Sequence, residues 1–304
     1  MKRGRGLFVA AAMAAVAATA ALPGGPSTPK LPPVFLNHVY RVLDAATFEA
    51  ADHSEFLRSE LAQFERRTTK SADDSWTGLY FYGQSTYFEL LEADPARFRP
   101  VGQAGIALGV EEPGASAAVR TALEGLGAGP AVSIPRPRES GGRMVPWFLM
   151  TGFEPKDPAL VTFVIEYDPA FLAQWNREIL RGLSGISRRA VLERYRAKAA
   201  RAVPARDPLL RDVTGVTLAL SPELARRLGA ELGALGYRRD EKGPRTDWIG
   251  PDARISVVPS TGKSGGLAAI EMSLVRRPAE RRTISLGPRA RVEIRPDGTA
   301  TFTF

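Results

Sequence analysis

The sequence predicts an α+β fold built from βαβββ modules, two in succession and a third βαβββ-like module after them. Three observations predict it. An order of strand, helix and three strands appears three times along the chain. The copies recur at spacings of roughly 70 to 110 residues, the scale of an internal structural repeat. The 304 residues are 44% hydrophobic and 24% charged, enough apolar sequence to bury a core across more than one unit.

The first copy opens with Val34–Leu43, a run rich in β-branched and aromatic residues that reads as a strand. Asp44 then caps a helix running toward Glu65, with Phe48, Phe56, Leu57, Leu61 and Phe64 at helical spacings. Short strands follow near 66–70, 78–82 and 86–91, and Gly83-Gln84-Ser85 between the last two is hairpin chemistry. In the second copy, 105–110 is a strand, 115–126 a helix, and 131–134, 145–151 and 160–167 the next strands.

The third copy starts at 213–220. Ser221 is its N-cap, Pro222 the first helical position, and an apolar stripe runs to Leu235. Trp248, 255–258 and 267–275 mark its strands. The tail, 283–286, 291–295 and 299–304, is a hairpin turned by Pro296-Asp297-Gly298. Between the second and third copies lies a helical, Arg-rich connector. Phe171, Leu172, Trp175, Ile179 and Leu180 form a stripe that predicts docking, while Arg188, Arg189, Arg194, Arg196 and Arg201 are expected to face solvent.

The N-terminus carries a different signal. Lys2, Arg3 and Arg5 precede an apolar run from Leu7 to Val16, and Ala18-Thr19-Ala20 supplies small residues before Leu22-Pro23-Gly24-Gly25-Pro26. This is the pattern of a cleavable export signal, with a new N-terminus near Ala21. The run is alanine-rich and shorter than the roughly 20 residues that span a bilayer. The organisation expected is therefore a leader over 1–20, a Pro/Gly tether over 21–33, paired modules over 34–168, the connector over 169–211, and the third module with its hairpin over 212–304. Export to the periplasm or exterior follows, with no stable membrane span after cleavage; a homodimer stays open.

Composition excludes several chemistries. With no cysteine there is no disulfide, thiolate metal site or cysteine nucleophile, and the two histidines, His38 and His53, cannot build a three-histidine site. The net charge of +8 is concentrated in the leader and in 177–211, with ten basic and three acidic residues in the latter, so no nucleic-acid partner is expected. Thr261-Gly262-Lys263-Ser264 echoes a phosphate-binding loop, but Val257 stands where that motif needs glycine. His53 reads as a solvated helix residue.

Leu36-Asn37-His38-Val39-Tyr40 on the opening strand, followed by Asp44 and a helix, resembles the first strand of the vicinal oxygen chelate superfamily. That group includes glyoxalases, extradiol dioxygenases and fosfomycin-resistance enzymes. Tyr87-Phe88-Glu89-Leu90 is similar to its fourth strand, Gly105-Ile106-Ala107-Leu108 to its second-module strand, and Val164-Ile165-Glu166-Tyr167 to that module's last. Around Trp76–Tyr82 the chain also resembles an uncharacterised group of exported glyoxalase-like proteins. The resemblance implies that the first two modules pair into a curved mixed sheet cupping a divalent metal (Zn, Ni, Mn, Fe or Mg), held here by His38, Glu89 and Glu166. It departs at Gly105, where the family commonly has a histidine.

One imidazole and two carboxylates suit such ions with positions left for water or substrate. Neighbouring oxygens of a substrate would chelate the metal and be polarised by it. Gln103 lies two residues before Gly105, hence on the same face. Tyr40 shares a strand face with His38. Together with Tyr82 and Trp147 these are the expected ligand-lining residues. Two functions follow: a metal-dependent lyase, isomerase or dioxygenase, or a metal-free protein that binds or sequesters a small molecule in the same cup. Gly105 favours the second, and the His38–Glu89 pair together with Glu166 the first.

Overall fold

The computed structural model describes residues 31–304 except 71–74, 95, 97–98, 138–141, 154–156, 158, 174–185 and 261–264. The expected leader, most of the tether, Trp175, Ile179, Leu180 and the Thr261–Ser264 echo lie outside the described residues.

The first module runs β1 (Phe35–Leu43), α1 (Ala45–Asp52), β2 (Gln63–Lys70), β3 (Ser75–Tyr82) and β4 (Tyr87–Glu92). Its helix is shorter than the apolar spacing suggests. Asp44 caps it through the Thr47 amide at 3.0 Å, but regular winding ends at Asp52, and a π turn (Leu57–Leu61) feeds directly into β2. The apolar residues of that stretch, Phe56, Leu57, Leu61 and Phe64, are buried all the same.

The second module is β5 (Ala104–Val110), α2 (Ala115–Glu124), β6 (Val132–Pro137), β7 (Met144–Gly152) and β8 (Leu160–Tyr167). The connector holds α3 (Pro169–Leu172) and α4 (Arg188–Ala202). The third module is β9 (Leu210–Leu220), α5 (Pro222–Ala234), β10 (Arg238–Lys242), β11 (Arg245–Ile249) and β12 (Arg254–Pro259). Then come β13 (Gly266–Leu274), β14 (Arg282–Leu286), β15 (Ala290–Ile294) and β16 (Thr299–Thr303).

Among the described residues these strands form two eight-stranded sheets, ordered β2-β3-β4-β1-β5-β8-β7-β6 and β10-β11-β12-β9-β13-β16-β15-β14. The second order is the first with every strand number raised by eight. The α+β reading with paired modules in a curved mixed sheet holds. The third module, for which the sequence shows no partner module, is itself paired. β13 lies antiparallel to β9 as β5 does to β1, so β13–β16 form a fourth module. Residues 275–281 replace its helix. The strand read at 267–275 therefore opens a new module rather than ending the third.

Strand alternation gives each sheet two faces. Val39, Phe81, Phe88, Leu90, Ile106 and Leu108 of the first sheet share one core with Val216, Leu218, Ile255, Ile270 and Phe302 of the second. The helices wedge in at its margins, α2 through Val119 and Leu123 and α5 through Leu224, Leu228 and Leu232. Phe88 meets Phe302 edge to face, with ring centroids 5.9 Å apart. This back-to-back packing buries the apolar face that a lone third module would have left to water.

The far face of the first sheet is covered by the connector. Phe171, Leu172, Val191, Leu192, Tyr195 and Ala199 pack on Tyr80, Tyr82, Tyr87, Ile165 and Tyr167. Arg188, expected in solvent, is 6% exposed. Its guanidinium pairs with Glu111 at 3.0 Å and Asp252 at 2.6 Å and donates to the Leu36 carbonyl, pinning the start of α4 to both sheets.

Candidate functional site on the connector-covered face of the first sheet

β1 supplies the centre of this face. A bulge between Leu36 and His38 shifts its pairing with β5 and turns the imidazole onto the face covered by the connector. His38 pairs in register with Tyr87 of β4, and the two rings stack with centroids 4.5 Å apart. Phe163 of β8 meets the imidazole edge-on at 5.9 Å. His38 Nδ1 donates to Asn37 Oδ1 at 2.9 Å, which leaves Nε2 with a free lone pair.

That lone pair faces Glu89, whose Oε1 is 3.8 Å from Nε2. Burial pushes the His38 imidazole down to about 3 and the Glu89 carboxyl up to about 7. The Arg67 guanidinium and a hydrogen bond from Tyr87 oppose the Glu89 shift in part. The site thus holds a neutral imidazole beside a carboxyl that exchanges its proton near neutrality. Burial also raises the hydroxyls of Tyr40, Tyr82 and Tyr167, so they stay protonated and act as hydrogen-bond donors.

Around this pair the lining is aromatic. Tyr82 lies 5.7 Å from Tyr87 and donates to Glu65 at 2.5 Å, and Arg67 stands over Tyr80 at 4.0 Å while pairing with Glu65 at 3.1 Å. Trp147 Nε1 donates to the Tyr195 hydroxyl at 3.1 Å, with Arg136 stacked over the indole at 4.6 Å. Gln103 is buried one residue ahead of β5. The Tyr40 ring covers Gly105, where a Cβ would fall 1.9 Å from Tyr40 Cε1. Tyrosine therefore fills the space that a side chain at 105 would need.

Glu166 does not join them. Its carboxylate accepts from the Gly114 amide at 2.6 Å and the Ser116 amide at 2.8 Å, capping α2 on the opposite face of the sheet. The reason is local: α2 starts at Gly114 with no side-chain cap of its own, and its amide donors attract a carboxylate. Only His38 and Glu89 of the three expected ligands converge. Among the described residues no cluster of three His, Cys, Asp or Glu side chains is placed to hold a metal. One imidazole and one carboxylate fall short of the three protein ligands usual even in open catalytic sites, so this donor set does not fit a tightly held divalent ion. Sequence reasoning missed Asn37, Phe163 and Tyr195. Tyr195 was signalled by Val191, Leu192 and Ala199 at helical spacing around it, an apolar stripe within an Arg-rich segment.

Fold and site together describe a protein of two back-to-back pairs of βαβββ-type modules, one of them carrying an aromatic cup with a buried His–Glu pair. The chain belongs to DUF5829, a family of unknown function whose model matches residues 36–304. No curated protein matches it. Solved structures similar to it include a hypothetical protein from Staphylococcus aureus, 12% identical with a TM-score of 0.49, covering 83% of this chain and 95% of that one. A Mn(II)-bound glyoxalase from Novosphingobium aromaticivorans is 14% identical with a TM-score of 0.41, covering 78% of this chain and 64% of that one. Methylmalonyl-CoA epimerase from Mycobacterium tuberculosis is 19% identical with a TM-score of 0.29, covering 46% of this chain and 91% of that one.

Proposed function

We propose that this chain is an exported, metal-free binding protein that holds a small molecule on the connector-covered face of its first sheet. The observation that carries the proposal is the commitment of Glu166 to the start of α2, 2.6 Å from the Gly114 amide. With that carboxylate removed, the expected metal set shrinks to two groups. What remains suits binding by stacking and hydrogen bonds. Tyr82, Tyr87 and Phe163 line this face with rings that pack on His38, on one another and under the connector, while His38 Nε2 supplies an acceptor and Glu89 a donor or acceptor according to its proton. Export rests on the leader pattern at 1–20.

Elemental analysis of protein purified without chelator tests the metal-free part, with native mass spectrometry run beside it to look for a retained small molecule. Substoichiometric metal is the expected result. One equivalent of Zn, Ni, Mn, Fe or Mg that is lost in His38→Ala would overturn it. The convergence of His38 on Glu89 would then mark a metal-dependent lyase, isomerase or dioxygenase acting on neighbouring oxygens. An intact Met1 on protein recovered from membrane fractions would refute export.

A further inference from the structure

A cavity of about 580 Å³ opens where the two sheets meet, away from the aromatic cup, and lies within the size range of small-molecule sites. Its walls include Leu267, Ala290 and Phe304 of the second sheet's half, and Arg41, Asp44 and Arg289 supply its charge. The wall closes because the backbones touch. Gly266 has φ +138, and a Cβ there would lie 2.4 Å from the Gly102 carbonyl oxygen. The cavity is therefore a product of the pairing of the two sheets.

Arg41 is the feature that the packing leaves unexplained. By strand alternation it sits on the core-facing side of β1 with Val39, the side opposite His38 and Tyr40. Its guanidinium donates to the Leu267 carbonyl and lies over the Phe304 ring at 4.9 Å. Several other half-buried or buried arginines meet carboxylates: Arg67 has Glu65, Arg188 has Glu111 and Asp252, Arg245 has Asp247, and Arg254 has Glu271; Arg136 instead stacks on Trp147 and donates to the Tyr195 hydroxyl. Asp44, on the cavity wall, favours the Arg41 cation through its charge but makes no ion pair with it; its carboxylate accepts from the Thr47 amide at 3.0 Å and the Thr47 hydroxyl at 2.9 Å, and lies 3.8 Å from Arg289. Arg41 is half-buried on the cavity wall without an ion pair, and the planar fork of a guanidinium matches a carboxylate.

We propose that this cavity binds a small organic acid, its carboxylate on Arg41 with Arg289 at the rim and its apolar body against Leu267, Ala290 and Phe304. The site is separate from the aromatic cup and stands whether or not the cup holds a ligand. Burial holds the Arg41 pKa at about 10, still well above neutrality, so the guanidinium stays cationic in the medium where the acid is ionised.

Titration calorimetry with 1-naphthoate and its neutral counterpart 1-naphthalenemethanol tests it on the full chain. Naphthoate should bind saturably and at least about tenfold more tightly than the alcohol, as expected for a charge-assisted pair, and should weaken as salt is raised. Arg41→Gln should remove that tenfold preference. Arg289→Gln, at an exposed position that does not endanger folding, should weaken naphthoate severalfold and leave the alcohol unchanged. Equal affinities of naphthoate and the alcohol, no saturable binding of naphthoate, or a folded Arg41→Gln protein that keeps the preference would each overturn the proposal. The comparison of acid and alcohol on the unaltered chain decides even where Arg41→Gln fails to fold.

Discussion

The Trp147 indole donates to the Tyr195 hydroxyl at 3.1 Å, joining β7 to the helix that covers it. The same hydroxyl accepts from Arg136 at 3.3 Å, and its ring lies 5.8 Å from Tyr82. One side chain of the connector therefore touches β6, β7 and β3, which lie toward opposite edges of the sheet. The connector is part of the cup rather than a linker beyond it.

Two substitutions separate the hydroxyl from the ring. Tyr195→Phe removes the acceptor of the half-buried Trp147 N–H and should cost about 1 kcal/mol. Tyr195→Ala adds a cavity beneath α4 and should cost about 3–5 kcal/mol. Urea unfolding of the two variants measures both. Equal losses in the two would mean that the ring contributes nothing to holding the connector down.

A second prediction follows from the place of Glu166. Glu166→Ala removes the carboxylate that accepts two amides at the start of α2 and should destabilise the chain by about 1 kcal/mol, the scale of a lost helix cap. Hydrogen exchange should speed up at Gly114 and Ser116 and not around His38. If exchange instead rises across β1 and β4, the residue serves the cup after all.

How far each feature was legible before the structure depends on what each residue encodes locally. The module order was readable because β-branched strands, Ser221 and Asp44 as caps, and turn glycines act within a few residues. The faces of His38 and Tyr40 followed from alternation along β1. Glu166 was not readable in that way. Leu160–Tyr167 is apolar on both faces, so its alternation carries no sign of which side meets the cup. The available clue lay elsewhere, in a helix beginning at Gly114 without a side-chain cap. The fourth module escaped because its helix is missing, and strand pairing between distant segments is written in no local pattern.

The His38–Glu89 pair predicts a pH signature. Glu89 titrates at about 7 in the fold against 4.5 when free, so its share of stability is present at low pH and is lost as pH rises through about 7. His38 titrates at about 3 against 6.5 when free, so its share is present above the free value and is lost as pH falls toward 3. From pH 4.5 to 6.5 the two slopes oppose each other, each about 1.4 kcal/mol per pH unit at full linkage. Relative to the unaltered chain, Glu89→Gln should make stability rise with pH in this window, and His38→Gln should make it fall. Urea midpoints across the window measure the slopes; parallel curves for the two variants would remove the pair as their source.

The last prediction concerns the position where the family resemblance expects a histidine. A Cβ at Gly105 would lie 1.9 Å from Tyr40 Cε1, 2.3 Å from Cζ and 2.5 Å from Cδ1, so the ring and a side chain exclude each other. The two residues pair across β1 and β5, which leaves the backbone little room to part without breaking the ladder. Gly105→Ala should therefore cost about 1–3 kcal/mol through overpacking, although alanine suits a strand better than glycine does. In a Tyr40→Ala background the obstruction is gone and the same change should be neutral or stabilising. Denaturation of the two single variants and the double variant closes the cycle, and a coupling of about 1–3 kcal/mol is expected for residues in contact. Strict additivity would show that the ring swings aside freely, and that Tyr40 is not what holds glycine at 105.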